Sequence, residues 1–136
     1  NLYSTLLSFY PPAKFKYTIK TNIDNRGNFV EIMRLGNFGQ FSFFTINKKK
    51  ERGGHYHDTK VKKFIILNGK VRFVFLDLNK RKRIKIDISS KDYSIIETIP
   101  GYAHKLINIG NTKVTGVIWS NEEFNKNDPD TFNYKI

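Results

Sequence analysis

The sequence predicts an all-β domain of the sandwich or jelly-roll type. Segments rich in aromatic and β-branched residues recur about every 8–12 residues, turn signals separate them, and no long helical pattern occurs. The 136 residues are 39% hydrophobic and 15% aromatic, which is enough apolar material for one packed core. We therefore expect a single domain over residues 1–136, with an N-terminal segment at 1–15 and a barrel at 16–136.

Local composition predicts the individual elements. The apolar stretch Leu2–Tyr10 favours a short helix that Pro11 ends, because proline lacks the donor that a helix interior needs. Asn68-Gly69 is typical of a type I′ turn, so we expect a hairpin there. The predicted strands share runs of aromatic and branched residues and lie at 29–33, 41–46, 64–67, 71–76, 84–88, 95–96, 106–109 and 114–119.

Charge narrows the class of partner. The formal net charge is +12, which fits either a polyanionic partner or a host that favours Lys, Asn and Ile codons. The basic runs at 48–50 and 80–83 fall where turns are expected, so we interpret them as solvated loops and expect no nucleic-acid partner. A diphosphate ligand is a third interpretation, since it needs only one or two well-placed cations.

Cysteine content and hydropathy limit the compartment. The chain has no cysteine, which excludes disulfides and thiolate zinc sites and fits a reducing compartment. No apolar run approaches the roughly 18 residues of a membrane span. We therefore expect a cytoplasmic protein with no membrane partner.

All three histidines of the chain lie in two short motifs. His55 and His57 belong to the stretch 52–57, and His104 follows a Pro-Gly turn in the stretch 100–104. In a β-strand, residues two apart project from the same face. We therefore expect His55 and His57 to reach into one space, and the fold to bring His104 to the same pocket.

These two motifs resemble the paired motifs of cupins. The matching residues are Gly54, His55, His57 and Gly69 in the first motif, and Pro100, Gly101, His104 and Asn108 in the second. The resemblance implies an RmlC-like jelly-roll β-barrel. It also implies a divalent metal held by the three histidines and by a glutamate four or five residues after His57.

The sequence departs from the cupin pattern at that glutamate. Val61 and Lys62 stand in its place, and an ammonium has no lone pair to give a metal. Asp58 is a poor substitute, because it should face the other side of the strand. Either three imidazoles and water hold zinc, or the metal is lost and Lys62 supplies part of its positive charge.

A second resemblance is to the cupin epimerases of nucleotide-linked 4-keto-6-deoxy sugars. It rests on the segments 24–31, 40–42 and 52–56, which carry the patterns Asp-x-Arg-Gly-x-Phe-x-Glu and Arg-Gly-x-His. In that family the histidine after Arg-Gly-x removes the proton next to the ketone. The resemblance implies that His55 is this base, and the dTDP-sugar 3,5-epimerases of this kind need no metal.

A narrower resemblance spans nearly the whole chain. The segments 1–3, 24–31, 39–45, 52–57, 97–101, 119–122 and 129–131 are similar to the C-terminal cupin domain of CapF-type capsular polysaccharide enzymes. Those enzymes join an NADPH-dependent reductase domain to a cupin that epimerises carbon 3, on the route to UDP-N-acetyl-L-fucosamine. The Gly-x-x-Gly-x-x-Gly fingerprint is missing here. We therefore expect no NADP in this chain and a reductase domain either N-terminal to it or separate.

The resemblances imply roles for the catalytic candidates. Epimerisation needs a base, a second proton donor and positive charge near the enolate oxygen. His55 is the base in a metal-free site; with metal it is a ligand, and Tyr56, Glu31 or Tyr102 moves the proton. Lys62 is the candidate cation.

Substrate contacts are expected from other residues of the same motifs. Arg26 and Arg52 suit the diphosphate of a UDP-sugar, because a guanidinium forks onto two phosphate oxygens. Gln40 and Tyr102 are further candidates for substrate binding. The alternatives are a ketoisomerase that moves the keto group between carbons 3 and 4, and a sugar-binding or dimerisation cupin without catalysis. We also expect a homodimer, because open strand edges and the apolar N-terminal segment favour pairing.

Overall fold

The computed structural model describes residues 1–136 and is built almost entirely from antiparallel strands. Short 3-10 turns at Pro12–Lys14 and Gly36–Phe38 interrupt the connections. The helix and strands are α1 Leu2–Leu7, β1 Thr21–Asp24, β2 Gly27–Arg34, β3 Gln40–Ile46, β4 Glu51–Tyr56, β5 Lys62–Asn68, β6 Lys70–Asp77, β7 Arg83–Ser89, β8 Ile95–Thr98, β9 Tyr102–Asn108, β10 Val114–Ser120 and β11 Phe132–Asn133.

The strands form two sheets that face each other. Sheet A has the order β1-β2-β3-β10-β5-β8, and sheet B has the order β11-β4-β9-β6-β7. Every strand pair is antiparallel. Successive strands switch repeatedly between the sheets, as in a double-sheet jelly roll. This confirms the predicted fold class.

Alternating apolar side chains fill the space between the sheets. Phe44, Ile46 and Phe73 are fully buried, and the ring of Phe64 contacts Phe44 and Phe73 with centroids 6.1 and 5.4 Å away. Both aromatic contacts are edge-to-face, the arrangement that ring quadrupoles favour. The two-residue period of the strands therefore sets which side chains form the core.

The predicted hairpin at Asn68-Gly69 is wrong. β5 ends at Asn68 in sheet A, whereas β6 begins at Lys70 in sheet B, so the two strands do not pair. A type I′ turn needs positive φ at both central residues, and here only Gly69 has it, at 93°. A Cβ at Gly69 would lie 2.9 Å from Val114 Cγ2, so this glycine allows a close crossing between sheets.

The N-terminal segment forms the expected helix, but the helix ends earlier than predicted. Asn1 caps α1 by accepting a hydrogen bond from the Ser4 N–H, and the helix stops at Leu7. No residue of α1 is buried; Leu2 is 87% exposed and Phe9 80% exposed. The apolar side chains thus have no cover within a single chain. No helix has the length and apolar character needed to cross a membrane.

Two polar side chains tie the sheets together near the site. Arg52 on β4 donates from Nε to the Thr45 carbonyl at 2.8 Å and from Nη2 to the Asn28 carbonyl at 3.0 Å. Asn108 on β9 donates from Nδ2 to the Ile46 carbonyl at 3.0 Å. Because these bonds join strands of opposite sheets, they fix β4 and β9 relative to sheet A.

We expect Gly39→Ala to destabilise the fold far more than Gly101→Ala. The two glycines have nearly equal φ, 90° and 87°, so both substitutions strain the backbone. A Cβ at Gly39 would lie 1.9 Å from the Ser120 carbonyl oxygen, whereas one at Gly101 meets nothing within 4 Å. Overpacking against backbone should add about 1–3 kcal/mol. If urea unfolding shows that both variants lose the same free energy of unfolding, this close approach of Gly39 to Ser120 is contradicted.

Candidate functional site

The three histidines meet between the sheets. His55 lies on β4 opposite His104 on β9, and His57 follows the end of β4. The ring centroid of His55 is 4.9 Å from that of His57 and 4.9 Å from that of His104, and the remaining pair is 5.5 Å apart. One ring nitrogen of each lies within 4.8 Å of the others. The structure thus brings together the rings that the motif spacing predicts.

Two glycines allow this convergence. Gly53 and Gly54 have φ of 93° and 81°, and the register of β4 on β9 shifts between Gly53 and His55. A Cβ at Gly53 would lie 2.7 Å from the His104 carbonyl oxygen. The Gly-Gly pair therefore lets β4 lie tightly against β9 and form a bulge just before His55.

The imidazoles are held in the neutral form. Burial, followed by the charge of Lys62, lowers the pKa of His55 to about 3 and that of His57 to about 4. Burial, followed by His55 and Lys62, lowers the pKa of His104 to about 2. The buried nitrogens His55 Nε2, His57 Nε2 and His104 Nδ1 have no hydrogen-bond partner. The cluster therefore carries unused nitrogen atoms at neutral pH.

Lys62 lies beside the cluster, as its position in the motif predicts. It begins β5 and lines the same cavity as His55. Its ammonium makes no hydrogen bond or ion pair, whereas Lys63, the next residue, pairs with Glu97 on the outer face. Burial and the charge of Lys60 lower the pKa of Lys62 to about 8. A cation without a partner thus lies next to three neutral imidazoles.

The donor set fits a divalent metal only in part. Three neutral imidazoles are suitable zinc ligands, and their unpartnered buried nitrogens are the atoms a metal would use. No carboxylate joins the cluster; Asp58 is exposed and lies outside it. At about 4 Å and an effective dielectric of 20, even two single charges repel by roughly 4 kcal/mol. Lys62 therefore weakens a site that the histidines would otherwise form.

A cavity of about 350 Å³ opens beside His55 and Lys62. Glu31, Gln40 and Ser120 from sheet A line it. Gln40 is buried, and both ends of its amide are hydrogen-bonded: Nε2 donates to Ser42 Oγ at 3.0 Å and Oε1 accepts from the Phe124 N–H at 2.9 Å. The Ser120 hydroxyl is buried without a partner. The cavity therefore combines acidic, basic and neutral polar groups.

Of the three residues predicted to move a proton beside a metal, only Glu31 lines this cavity. Arg34 donates from Nε and Nη2 to Glu31 Oε2, at 3.0 and 2.7 Å. Tyr56 projects from the opposite face of β4 to His55 and stacks on Phe132, with ring centroids 5.1 Å apart. Its position follows from the two-residue period of the strand. The structure thus places Tyr56 away from the histidines.

Tyr102 also lies apart from the cavity lining. Its ring packs against the apolar core, and its hydroxyl contacts the Asp77 carboxylate. It occupies the start of β9, two residues before His104. The structure does not bring Tyr102 to the polar wall formed by Glu31 and Gln40.

Arg26 and Arg52 lie on another side of the cluster. Together with His55 and Lys62 they line a smaller cavity of about 110 Å³. Arg26 pairs with Asp24 through Nε and Nη2, at 3.0 and 2.6 Å. Because Arg52 Nε and Nη2 donate to main-chain carbonyls, only its remaining N–H groups are left for a ligand.

Sequence reasoning missed Lys60 and Asp130. Lys60 is 4% exposed and lines the larger cavity, although lysines are rarely buried. Asp130 contacts the loop at 58–60 from a distant part of the chain. The one sequence signal for Asp130 is the Pro-Asp-Thr segment at 129–131. Composition does not reveal where this segment lies in the fold.

Two facing antiparallel sheets with histidines converging from β4 and β9 define a cupin. The fold resembles oxalate decarboxylase from Lactobacillus farciminis, with a TM-score of 0.65 over 74% of this chain and 30% of that one, at 11% identity. Residues 22–132 match the family described as polysaccharide biosynthesis C-terminal domain. The chain belongs to this family, in the form that CapF-type proteins carry.

Two relatives support this assignment. The chain is 40% identical over 131 residues to UDP-2-acetamido-2,6-beta-L-arabino-hexul-4-ose reductase from Pseudomonas aeruginosa, covering 96% of this chain and 35% of that protein. It also matches the capsular polysaccharide assembling protein CapF from Staphylococcus aureus at 33% identity and a TM-score of 0.94, covering 99% of this chain and 39% of that one. The chain therefore spans little more than a third of these relatives.

We expect Lys62→Glu to raise zinc affinity by at least about 10-fold, because it removes a repelling charge and adds a carboxylate ligand. Zinc titration of the two proteins by calorimetry measures the difference. The matched control is Lys63→Glu, which makes the same charge change on the outer face of β5. Equal affinity of wild type and Lys62→Glu, or a similar gain in the control, would contradict the position of Lys62 beside the ligands.

Proposed function

We propose that this domain is the epimerase part of a CapF-type enzyme. Its substrate would be a UDP-linked 4-keto-6-deoxy-N-acetylhexose, inverted at carbon 3 during surface polysaccharide biosynthesis. The supporting observation is the cavity in which neutral His55 and the unpaired Lys62 lie together. The Pseudomonas relative is named for a UDP-linked hexul-4-ose, which is a 4-keto sugar.

The chemistry begins with removal of the carbon 3 proton. The ketone at carbon 4 makes this proton acidic, because the charge left behind moves onto the ketone oxygen. His55 is the proposed base: its Nε2 is unpartnered and the ring is neutral. A pKa near 3 makes His55 a weak base. Burial is the larger cause of this low pKa, and a substrate enolate beside Lys62 would offset the second cause, the charge of Lys62.

Lys62 is the proposed partner of the developing enolate oxygen. Its ammonium has no other ion pair to give up, so it can stabilise the negative charge without breaking a contact. The proton must return to the opposite face of carbon 3. We propose that a water molecule in the cavity returns this proton. Glu31 lines the same cavity from sheet A and is ion-paired with Arg34, so its proposed part is to orient this water.

A metal-bound form would assign the residues differently. His55, His57 and His104 would hold zinc, which would polarise the ketone as a Lewis acid. His55 could then not act as a free base, and Lys62 would oppose binding of the ion. We therefore propose the metal-free form, in which Lys62 supplies the positive charge.

Two other functions use the same cavity. A 3,4-ketoisomerase would form the same enolate and differ only in where the proton returns. A sugar-binding or dimerisation cupin without catalysis is the other alternative. It is favoured by the replacement of the cupin glutamate ligand by Lys62. The products of one incubation separate all three.

The test is solvent exchange into a UDP-linked 4-keto sugar in deuterium oxide. We expect wild type to introduce deuterium at carbon 3 and to form the carbon 3 epimer, detected by mass spectrometry and proton NMR. His55→Gln should reduce the rate by about 100-fold or more, the typical contribution of a general base. Lys62→Met should also slow exchange, whereas Lys63→Met on the outer face should not.

Each outcome of this incubation is decisive. If wild type shows no exchange, the epimerase proposal is wrong and the binding function is favoured. A product with the keto group at carbon 3 would identify the ketoisomerase. If chelators abolish the exchange, the source of positive charge is a metal and not Lys62.

We also propose that the domain works in the cytoplasm as a homodimer and with a reductase domain. The relatives extend well beyond the part matched here, which leaves room for such a domain. Pairing is supported by the uncovered Leu2, Leu6 and Phe9 side chains, which are 87%, 60% and 80% exposed. A second apolar surface around Phe41 and Trp119 lines a groove of about 390 Å³ on sheet A.

Sedimentation at micromolar concentration should give twice the 16.0 kDa chain mass. Phe9→Asp should shift the equilibrium towards monomer, since a charge in an apolar interface loses its hydration. A wild-type protein that sediments only as the 16.0 kDa monomer would refute the dimer.

A further inference from the structure

The segment Pro129–Thr131 lies against the end of β4 and contacts the loop at 58–60, which leads to Lys62. The carboxylate of Asp130 accepts the Asp58 N–H at 2.9 Å, the Thr59 N–H at 3.0 Å and the Lys60 N–H at 2.8 Å. It also accepts the Thr59 hydroxyl at 3.1 Å. One side chain therefore satisfies three consecutive main-chain donors and holds the loop as a unit.

The main chain of the same residue contacts the histidine cluster. The Asp130 carbonyl oxygen lies 2.5 Å from His57 Nδ1. A carbonyl can only accept, so the proton of the neutral ring must be on Nδ1. The other nitrogen, Nε2, then keeps its lone pair, and this is the buried atom that has no partner.

A second contact fixes the same segment from the loop side. Lys60 Nζ donates to the Pro129 carbonyl at 2.8 Å. The two-residue strand β11 then pairs with β4, with Phe132 opposite Tyr56 and Asn133 opposite His55. Asp130 is thus held between two fixed points, directly beside the histidine that it contacts.

The backbone of Asp130 is strained. Its φ is 44°, in the left-handed region that few residues other than glycine adopt. Such a conformation persists where the surrounding contacts over-determine the geometry. Here the strained turn directs the carboxylate at the loop and the carbonyl at His57.

We propose that Asp130 is a positioning residue for the histidine cluster: its carboxylate clamps the loop at 58–60 and its carbonyl sets the Nδ1–H tautomer of His57. The clamp reaches Lys62 through the chain, because Lys60 lies two residues before it. The consequence for catalysis rests on the proposed function, whereas control of the tautomer does not.

The test is ¹⁵N NMR of the imidazoles in metal-free protein at neutral pH. In wild type we expect His57 to carry its proton on Nδ1, with Nε2 unprotonated. Asp130→Asn tolerates the same positive φ but turns an amide donor or a weaker acceptor towards the loop donors. We expect the two His57 nitrogen shifts to move towards each other as both tautomers become populated.

The matched control is Asp128→Asn, which removes an exposed carboxylate that lies just before this segment and makes no side-chain hydrogen bond. It should leave the His57 shifts unchanged. Thr59→Ala is a milder variant that removes a single bond to Asp130, and it should shift His57 in the same direction as Asp130→Asn. This variant decides the question if Asp130→Asn does not fold.

A wild-type His57 protonated on Nε2 would overturn the proposal, as would unchanged His57 shifts in the folded Asp130 variant. Zinc titration gives a second readout: Asp130→Asn should bind about 10- to 100-fold more weakly, the usual effect of losing the group that orients a ligand histidine. If wild type shows no solvent exchange, the epimerase fails while these measurements still decide the role of Asp130.

Discussion

The site depends on burying three imidazoles next to one unpaired ammonium. Burial and the charge of Lys62 both disfavour protonation, so they lower the pKa values of His55, His57 and His104 together. Burial, followed by the charge of Lys60, also lowers the pKa of Lys62. A negatively charged intermediate would relieve this arrangement, and a divalent metal would worsen it.

The fold supplies these groups from opposite layers. The histidines come from β4 and β9 of sheet B, while Lys62 begins β5 of sheet A. Arg52 fixes the distance between the layers through its bonds to the Thr45 and Asn28 carbonyls. Its guanidinium therefore has a structural part in the site, whether or not its remaining donors reach a ligand.

Alternating patterns predicted the strands well, because a half-buried strand must place apolar side chains on one face. The same period predicts that His55 and His57 share a face. It also turns Tyr56 to the opposite face, which the choice of Tyr56 as a proton-moving residue overlooked. Asn68-Gly69 shows the limit of local reasoning. The dipeptide favours a hairpin, but the chain crosses between sheets there, because β5 and β6 find their partners in β10 and β9.

The sequence by itself determined the fold class, the two histidine motifs and the exchange of a glutamate for Lys62, since each is a matter of residue type and short spacing. Only the tertiary structure decided that Lys62 lacks a partner, that Tyr102 packs against the core and that Asp130 contacts His57. These facts depend on contacts between residues separated by up to 73 positions in the chain. Contacts over such distances follow from how the sheets pack, which no local pattern encodes.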